Sequence, residues 1–326
     1  MRIRISLLYI SLFVLLAASH AYASCGSGAC TINTNWDEHT DSMPGLSLDL
    51  RHGYSDANVL RSGTKKIEAD TADTEVENLR TLTRITLLSA DYTLDQHWGV
   101  ILNVPYVSRD HMHNLGPYAP DSLGVERFNT QALGDIKLAG RFRMTLNEEK
   151  HDSVGIKLGV KLATGHKDVT WEGTTTIPGE VALQPGNGST DLILGAFWNQ
   201  PNAANTLNWF AQLTAQSSIE HSAVYRPGDQ INADVGTRYY AGGGMSLLLQ
   251  LNAQWNAADS GSSAPLTVTG SANSGGDTLA ITPGLSFSIA ADTNVYGLVQ
   301  FPLIQSVNGQ QLTANNTVTV GLNHRY

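Results

Sequence analysis

Two neighbouring stretches decide the fold: LGDIKLAGRFRMTL at residues 133–146 and SVGIKLGVKLAT at residues 153–164. In each stretch apolar side chains alternate with polar or small ones, and a period of two is that of a β-strand. The basic residues of both stretches occur on the face opposite the apolar one. They are Lys137, Arg141, Arg143, Lys157 and Lys161. The pattern predicts strands with one apolar and one charged face.

Similar runs recur along the chain and predict twelve strands, an even number as single-chain bacterial barrels require. The second run is the least regular, because its phase slips near Leu87 and Leu88, which predicts a β-bulge. The runs are residues 44–54, 79–94, 97–108, 133–146, 153–164, 190–199, 206–218, 233–241, 245–256, 277–290, 294–303 and 315–326.

The connections between these runs alternate strictly between long and short. A soluble β-sandwich has no reason to sort its loops in this way, whereas a transmembrane barrel has tight periplasmic turns and longer external loops. The sequence therefore predicts an all-β fold, a transmembrane antiparallel β-barrel. The long connections are residues 55–78, 109–132, 165–189, 219–232, 257–276 and 304–314, and the short ones are 95–96, 147–152, 200–205, 242–244 and 291–293.

Aromatic residues near the predicted strand ends fit the girdles that such barrels carry at the membrane interfaces. The last run alternates up to a terminal aromatic residue, Tyr326, as the strand that the barrel-assembly machinery recognises commonly does. The predicted girdle residues are Tyr92, Trp98, Tyr106, Trp198, Trp209, Tyr239, Tyr240, Trp255 and Tyr296.

The N-terminus predicts export. Arg2 and Arg4 precede an apolar run at residues 5–18, and Ala21-Tyr22-Ala23 offers a cleavage site after Ala23. An acylated Cys25 is the alternative, but Tyr22 stands where a lipobox usually has Leu. We expect a signal peptide at 1–23, a short periplasmic or lumenal leader at 24–43 and an outer-membrane barrel at 44–326 in a Gram-negative cell envelope.

The composition limits the partners. Charged residues make up 15% of the chain, below the usual quarter of a soluble domain, and the net charge is −9 without a basic stripe. These features argue against nucleic acid. The expected partners are outer-membrane lipid, a small-molecule solute and the barrel-assembly machinery.

Several phrases carry a family resemblance. They are GDIKLAGR at 134–141, GVKLATG at 159–165, QPGNGS at 184–189, YRPGD at 225–229, and the tail from Tyr296-Gly297 through NGQQL at 308–312. Together they make the second and third thirds of the chain resemble the outer-membrane, transporter-like family of phenol-degradation meta-pathway proteins. The resemblance implies a barrel and a role in small-molecule passage, loosely like the long-chain fatty-acid channels.

The basic residues are the main candidates for a functional site. Because an Arg or Lys facing lipid at mid-membrane costs about 2–4 kcal/mol, all five should face the lumen, and Arg238 should join them. There they could line a substrate path and attract anionic solutes. The alternative is that they pair with acids such as Asp135 and transport nothing.

The two cysteines, Cys25 and Cys30, predict a small disulfide loop in the oxidising periplasm. A metal or redox pair helped by His39 is the alternative, but metal sites usually want three or four ligands. We therefore expect no metal and no cofactor. The leader could act as a plug stiffened by the disulfide.

Two histidine motifs are further candidates for chemistry. Asp110-His111-Met112-His113 lies in a predicted external loop and could capture a soft metal, although a plain hydrophilic loop accounts for it. His151-Asp152-Ser153 has the His-x-Ser spacing of the outer-membrane phospholipase family, but it lies in a predicted periplasmic turn, and a lipase would need these groups at the outer leaflet.

The sequence thus predicts a non-enzymatic outer-membrane channel for passive passage of small, anionic or aromatic solutes. A structural or binding barrel with a blocked lumen is the main alternative, and a phospholipase-like enzyme is the weaker one.

Overall fold

The computed structural model describes residues 44–68, 77–114, 125–147, 152–170, 172, 179–262 and 273–326. A short 3-10 turn spans Val181–Leu183. Among the described residues, no helical segment is long and apolar enough to cross a lipid bilayer. The same residues contain thirteen strands: β1 Gly45–Gly63, β2 Lys65–Lys66, β3 Glu77–Thr93, β4 Trp98–Asn114, β5 Val125–Leu133, β6 Lys137–Asn147, β7 Asp152–Lys161, β8 Thr190–Pro201, β9 Leu207–Glu220, β10 Gln230–Gly242, β11 Met245–Asn256, β12 Gly276–Ala290 and β13 Thr293–Arg325.

The strands form one antiparallel sheet that closes on itself. Its order runs from β13 through β12, β11, β10, β9, β8, β7, β6, β4 and β3 to β1, and β1 pairs with β13. These eleven strands make the ring, while β2 pairs with β1 and β5 pairs with β4 beside it. Closure gives both edges of each ring strand a partner, which removes the exposed edges on which open sheets aggregate. The predicted antiparallel barrel is confirmed.

The predicted count of twelve strands is not confirmed. β4 pairs first with β6, over residues 98–103, and then with β5, over residues 106–114. β13 is 33 residues long; residues 293–307 pair with β12 and residues 307–325 with β1, so one strand covers the last two predicted runs.

Several strands run past their predicted ends where the long connections lie. β1 continues to Gly63 and β4 to Asn114, although the sequence predicts loops there. Asp110 to His113 therefore belong to a strand, and the prediction of an external loop is wrong. Beyond the apolar band both faces of a strand can carry polar side chains, so the period of two fades while backbone pairing continues. The connections at the opposite end are short, at 94–97, 148–151, 202–206, 243–244 and 291–292, as predicted. The predicted long connection at 304–314 is wrong, because these residues lie within β13.

The two faces of the wall differ in polarity. In β11 burial alternates at every residue: Leu249 is 46% exposed, whereas its neighbour Gln250 is 2% exposed. Leucines and a tryptophan cover the outer face of this strand, and the inner face carries Ser246, Gln250, Asn252, Gln254 and Asn256. A soluble sheet buries its apolar face, so this barrel is inside out in comparison, as a lipid-facing barrel must be.

The predicted bulge near Leu87 and Leu88 is wrong. β1 and β3 keep one register from the pair Gly45–Thr93 to the pair Ala57–Thr81. Ile85 and Leu87 have the same parity as the buried Thr83 and Ser89, so they lie on the inner face. Apolar residues on both faces, and not an extra residue, produce the apparent slip.

Of the nine aromatic residues predicted to form the girdles, seven lie on the outer face of the barrel and two do not. Tyr296 lies inside, 6% exposed, and its hydroxyl donates to Asp49 Oδ2 at 2.8 Å. Tyr240 has inner-face parity, with its ring centroid 5.1 Å from the guanidinium carbon of Arg238. Apolar residues on both faces of these strands hide the parity from the sequence.

Some predictions fall outside the described residues. They are the signal peptide 1–23, the leader 24–43, Cys25, Cys30, His39 and His151.

Candidate functional site

The six predicted basic residues all occupy the inner face of the wall. Arg141, Arg143, Lys161 and Arg238 are buried there, and Lys137 and Lys157 are half-buried. Five of them lie on the neighbouring strands β6 and β7, and Arg238 lies on β10.

Two pairs of these charges face each other directly. Lys137 is the cross-strand partner of Lys161, and Arg141 is the partner of Lys157. Like charges opposite one another destabilise a sheet unless their side chains diverge or find acids. All four side chains turn to other strands.

Arg141 reaches across β4 to β3. Its Nη1 lies 2.8 Å from Asp91 Oδ2 and its Nη2 lies 2.9 Å from Thr93 Oγ1. Gly99 on β4 makes this crossing possible, because a Cβ at that position would stand 2.6 Å from Nη2. The pair is buried, so the charge of Arg141 is neutralised within the wall.

Lys161 holds four oxygens. Its Nζ lies 3.1 Å from Asp135 Oδ2 and 3.2 Å from Asp191 Oδ2. Asn187 Oδ1, at 2.6 Å, and Ser189 Oγ, at 2.9 Å, complete the set. One ammonium thus lies between two carboxylates, and this buried cluster carries a negative rather than a positive excess.

The Lys161 cluster also fastens the connection between β7 and β8. Asp135 Oδ1 accepts the backbone N–H of Gly165 at 2.8 Å, and Asp135 Oδ2 accepts that of Asn187 at 3.3 Å. Arg109, on the inner face of β4, donates to the carbonyl of Ala182 at 3.1 Å. Residues 179–189, which we call the inner segment, therefore lie against the inner face of the wall near the long loops and narrow the lumen there.

The remaining basic residues contact neutral groups. Lys137 Nζ donates to Gln216 Oε1 at 2.9 Å. Lys157 Nζ lies 3.4 Å from Gln212 Oε1 and 5.6 Å from the centroid of the Phe197 ring. Arg238 donates to Ser246 Oγ at 3.2 Å and Arg143 to the backbone carbonyl of Gln96 at 3.3 Å.

The inner wall also carries an apolar cluster, which the sequence does not predict. Phe210, Leu248, Tyr296 and Leu298 form a buried cluster on β9, β11 and β13, which we call the apolar sector. Glycines on the strands between let these side chains lie flat on the wall. A Cβ at Gly236 would stand 2.4 Å from the Phe210 ring, and a Cβ at Gly284 would stand 2.2 Å from Leu298 Cδ2. The glycines inside these strands could have predicted the cluster, because a glycine in a strand often marks the close approach of another group to the backbone.

Of the two histidine motifs, the structure describes Asp110 to His113 and Asp152-Ser153, but not His151. Ser153 is 3% exposed on the inner face of β7, at its short-turn end, which is opposite to the position that a lipase acting on the outer leaflet requires. His111 is buried on β4, with Nδ1 2.8 Å from Thr81 Oγ1. Within the described ranges no three His, Cys, Asp or Glu residues form a group that could hold a metal ion.

Comparison with solved structures identifies the architecture. An outer-membrane channel from Pseudomonas putida F1 superposes with a TM-score of 0.61 and 13% identity, over 89% of this chain and 98% of that chain. The fold is that of outer-membrane β-barrels. The transport unit of the autotransporter AIDA-I from Escherichia coli is a second such barrel, with a TM-score of 0.52 and 11% identity over 92% of this chain and 95% of that chain. No protein-family model and no curated protein matches the sequence.

The fold gives the wall its orientation. In outer-membrane barrels the apolar outer face contacts lipid, and the short turns lie on the periplasmic side. The connection 162–189 and the inner segment then belong to the external half, and Tyr326 lies at the periplasmic end with its backbone N–H bonded to the carbonyl of Leu46.

Proposed function

We propose that this chain is an outer-membrane channel through which small solutes pass by diffusion. The observation that carries the proposal is the closed barrel whose inner wall is polar and charged while its outer wall is apolar. A barrel that served only as a membrane scaffold would gain nothing from inward charges that contact neutral groups, as Lys137 does.

The solutes that fit best are small anions. Lys137 and Lys157 are only half-buried and offer positive charge to the lumen. The carboxylate of a small aliphatic or aromatic acid could contact both lysines.

Ion selectivity tests the charge part of the proposal. The double variant Lys137→Glu/Lys157→Glu should lower or reverse anion preference, measured as the reversal potential across a planar bilayer in a salt gradient. Lys65→Glu/Lys66→Glu is the matched control, because it changes the net charge equally at the exposed strand β2. Equal shifts in the two double variants would show that the inner lysines do not line the path.

Conductance separates the channel from a barrel with a blocked lumen. We expect single-channel steps from the purified protein, with a small amplitude because the inner segment narrows the external half. A reconstituted barrel without any single-channel steps would favour a structural or binding role. The buried ion pairs of Arg141 with Asp91 and of Lys161 with Asp135 would suit such a role. Phospholipid hydrolysis that disappears in Ser153→Ala would instead favour the enzyme alternative.

The proposal includes export and membrane assembly. Residues 1–23 would act as a signal peptide cleaved after Ala23. The assembly machinery would recognise the end of β13, where Val318, Val320, Leu322 and Tyr326 point outward. If the two halves of β13 are counted separately and β5 with β6 as one, the wall has twelve spans, the even number that bacterial barrels favour.

A further inference from the structure

A cavity of about 80 Å³ lies in the inner wall at its external end. It is bounded by β1, β11, β12 and β13, and its lining combines uncharged polar side chains with apolar ones such as Ala57 and Ala314. Gln254, Asn256, Gln300 and Thr317 are each less than a tenth exposed, so these groups are built into the wall and are not a solvated surface.

The amide nitrogens around this cavity are already used by the protein. Gln311 Nε2 donates to the carbonyls of Gly275 and Asn308, both at 2.7 Å. Gln305 Nε2 donates to the carbonyl of Ala314 at 3.1 Å. Because a carbonyl can only accept, these contacts fix which end of each amide is nitrogen.

The amide oxygens remain available to the cavity. Gln254 Nε2 donates to Asn256 Oδ1 at 3.0 Å, which uses that oxygen but leaves Gln254 Oε1. In the part of the chain that the structure describes, nothing donates to the Oε1 atoms of Gln254, Gln305 or Gln311. The cavity therefore presents several acceptors, and its charged lining residue, Asp277, is negative and exposed.

An acceptor-rich cavity whose buried lining is uncharged selects its ligand by hydrogen-bond chemistry. It disfavours carboxylates and phosphates, whose oxygens also accept, and it favours O–H groups, which donate to amide oxygens. One water needs about 10–15 Å³ of such space, so the cavity holds about five to eight non-hydrogen atoms.

We propose that this cavity is a binding subsite for small neutral molecules bearing several hydroxyl groups, of the size of a triol. The inference rests on the proposed channel function, because the subsite lies on the lumen side of the wall. It would give the external end of the channel a selectivity different from that of the basic residues deeper inside.

Binding of glycerol to the full-length protein in detergent tests the subsite, with saturation-transfer NMR as the measurement. Glycerol should bind saturably, and 1,2,3-trimethoxypropane, which lacks O–H donors, should not compete. Gln254→Leu should weaken glycerol binding about fivefold, the effect of one hydrogen bond. Gln254→Glu keeps an acceptor and should retain binding.

Gln230→Leu is the control variant, an inner-face amide at the same end of the barrel that does not line the cavity. Equal loss in Gln230→Leu and Gln254→Leu, or equal binding of glycerol and its trimethyl ether, would overturn the proposal. Tighter binding of the cation serinol than of glycerol would also overturn it and indicate a cation site. Thr278→Val provides a second cavity variant if Gln254→Leu does not fold.

Single-channel conductance of Gln254→Leu in potassium chloride separates this proposal from the channel itself. We expect unchanged steps with weakened glycerol binding. Steps absent from the wild type, with glycerol still bound, would contradict the channel and leave the subsite in place; steps present without glycerol binding would do the reverse.

Discussion

Replacing Lys161 by Met should destabilise the barrel more than any comparable change of an inner lysine. Met keeps much of the side-chain length but removes the ammonium that holds Asp135 and Asp191. Both carboxylates are buried, at 8% and 4% exposed. They would be left without their cation and close to one another.

The contacts allow the magnitude to be worked out. Unit charges about 3 Å apart attract by about 5 kcal/mol at an effective dielectric constant of about 20, and desolvation offsets much of this. Removing one partner of a buried pair costs about 3–5 kcal/mol. Lys157→Met is the control: it loses a 3.4 Å contact to a neutral amide and an ammonium–ring contact with Phe197, which should together cost about 1–2 kcal/mol.

Equilibrium urea unfolding in lipid vesicles, followed by the emission of the six tryptophans, measures these free energies. The triple variant Lys161→Met/Asp135→Asn/Asp191→Asn should recover most of the loss, because the buried negative charges go with the positive one. The reasoning is refuted if Lys161→Met unfolds at the same urea concentration as Lys157→Met, or if the triple variant is no more stable than the single one.

Three further predictions use the same unfolding assay. Gly155→Leu should cost about 1–3 kcal/mol, because a Cβ there would stand 2.2 Å from an aromatic ring, whereas Gly140→Leu, with its nearest atom at 3.9 Å, should be almost neutral; equal costs would contradict the packing argument. Tyr296→Phe should cost about 1.5–3 kcal/mol, since the half-buried Asp49 carboxylate loses the Tyr296 hydroxyl as a donor; a silent change would show that water replaces it. In the β3–β4 turn, backbone N–H donors lower the pKa of Asp95, so its stabilising effect is present above the ordinary value of 3.8 and lost as pH falls through the lower folded pKa. The stability gap between wild type and Asp95→Asn should therefore close at low pH, and a gap independent of pH would contradict this.

The strands were predictable where one face meets lipid and the other does not. In β6, β7 and β11 the period of two gives the orientation of every side chain. The prediction failed where that contrast disappears. Ile85 and Leu298 are apolar residues on the inner face, and β4 beyond the apolar band is polar on both faces. Only the register of neighbouring strands separates these cases.

The location of the basic residues on the inner face of the wall was predictable, but their hydrogen-bond and ion-pair partners were not. Alternation tells which side of the wall a charge occupies, not how far along the circumference its side chain extends. Arg141 and Asp91 are 50 residues apart, and their contact depends on a glycine in the strand between them. The two carboxylates that contact Lys161 lie just before β6 and at the start of β8. Such contacts arise from register and curvature, which the period of two does not contain.

The facing cations of β6 and β7 have a consequence for assembly. As an isolated hairpin, these strands would hold two directly opposed like-charge pairs on one face. The acids that relieve them come from β3, from β8 and from the residues just before β6. The hairpin therefore gains full stability only when the chain segments on both sides of it have paired with it. We expect this part of the barrel to form late and cooperatively and not to serve as a folding nucleus.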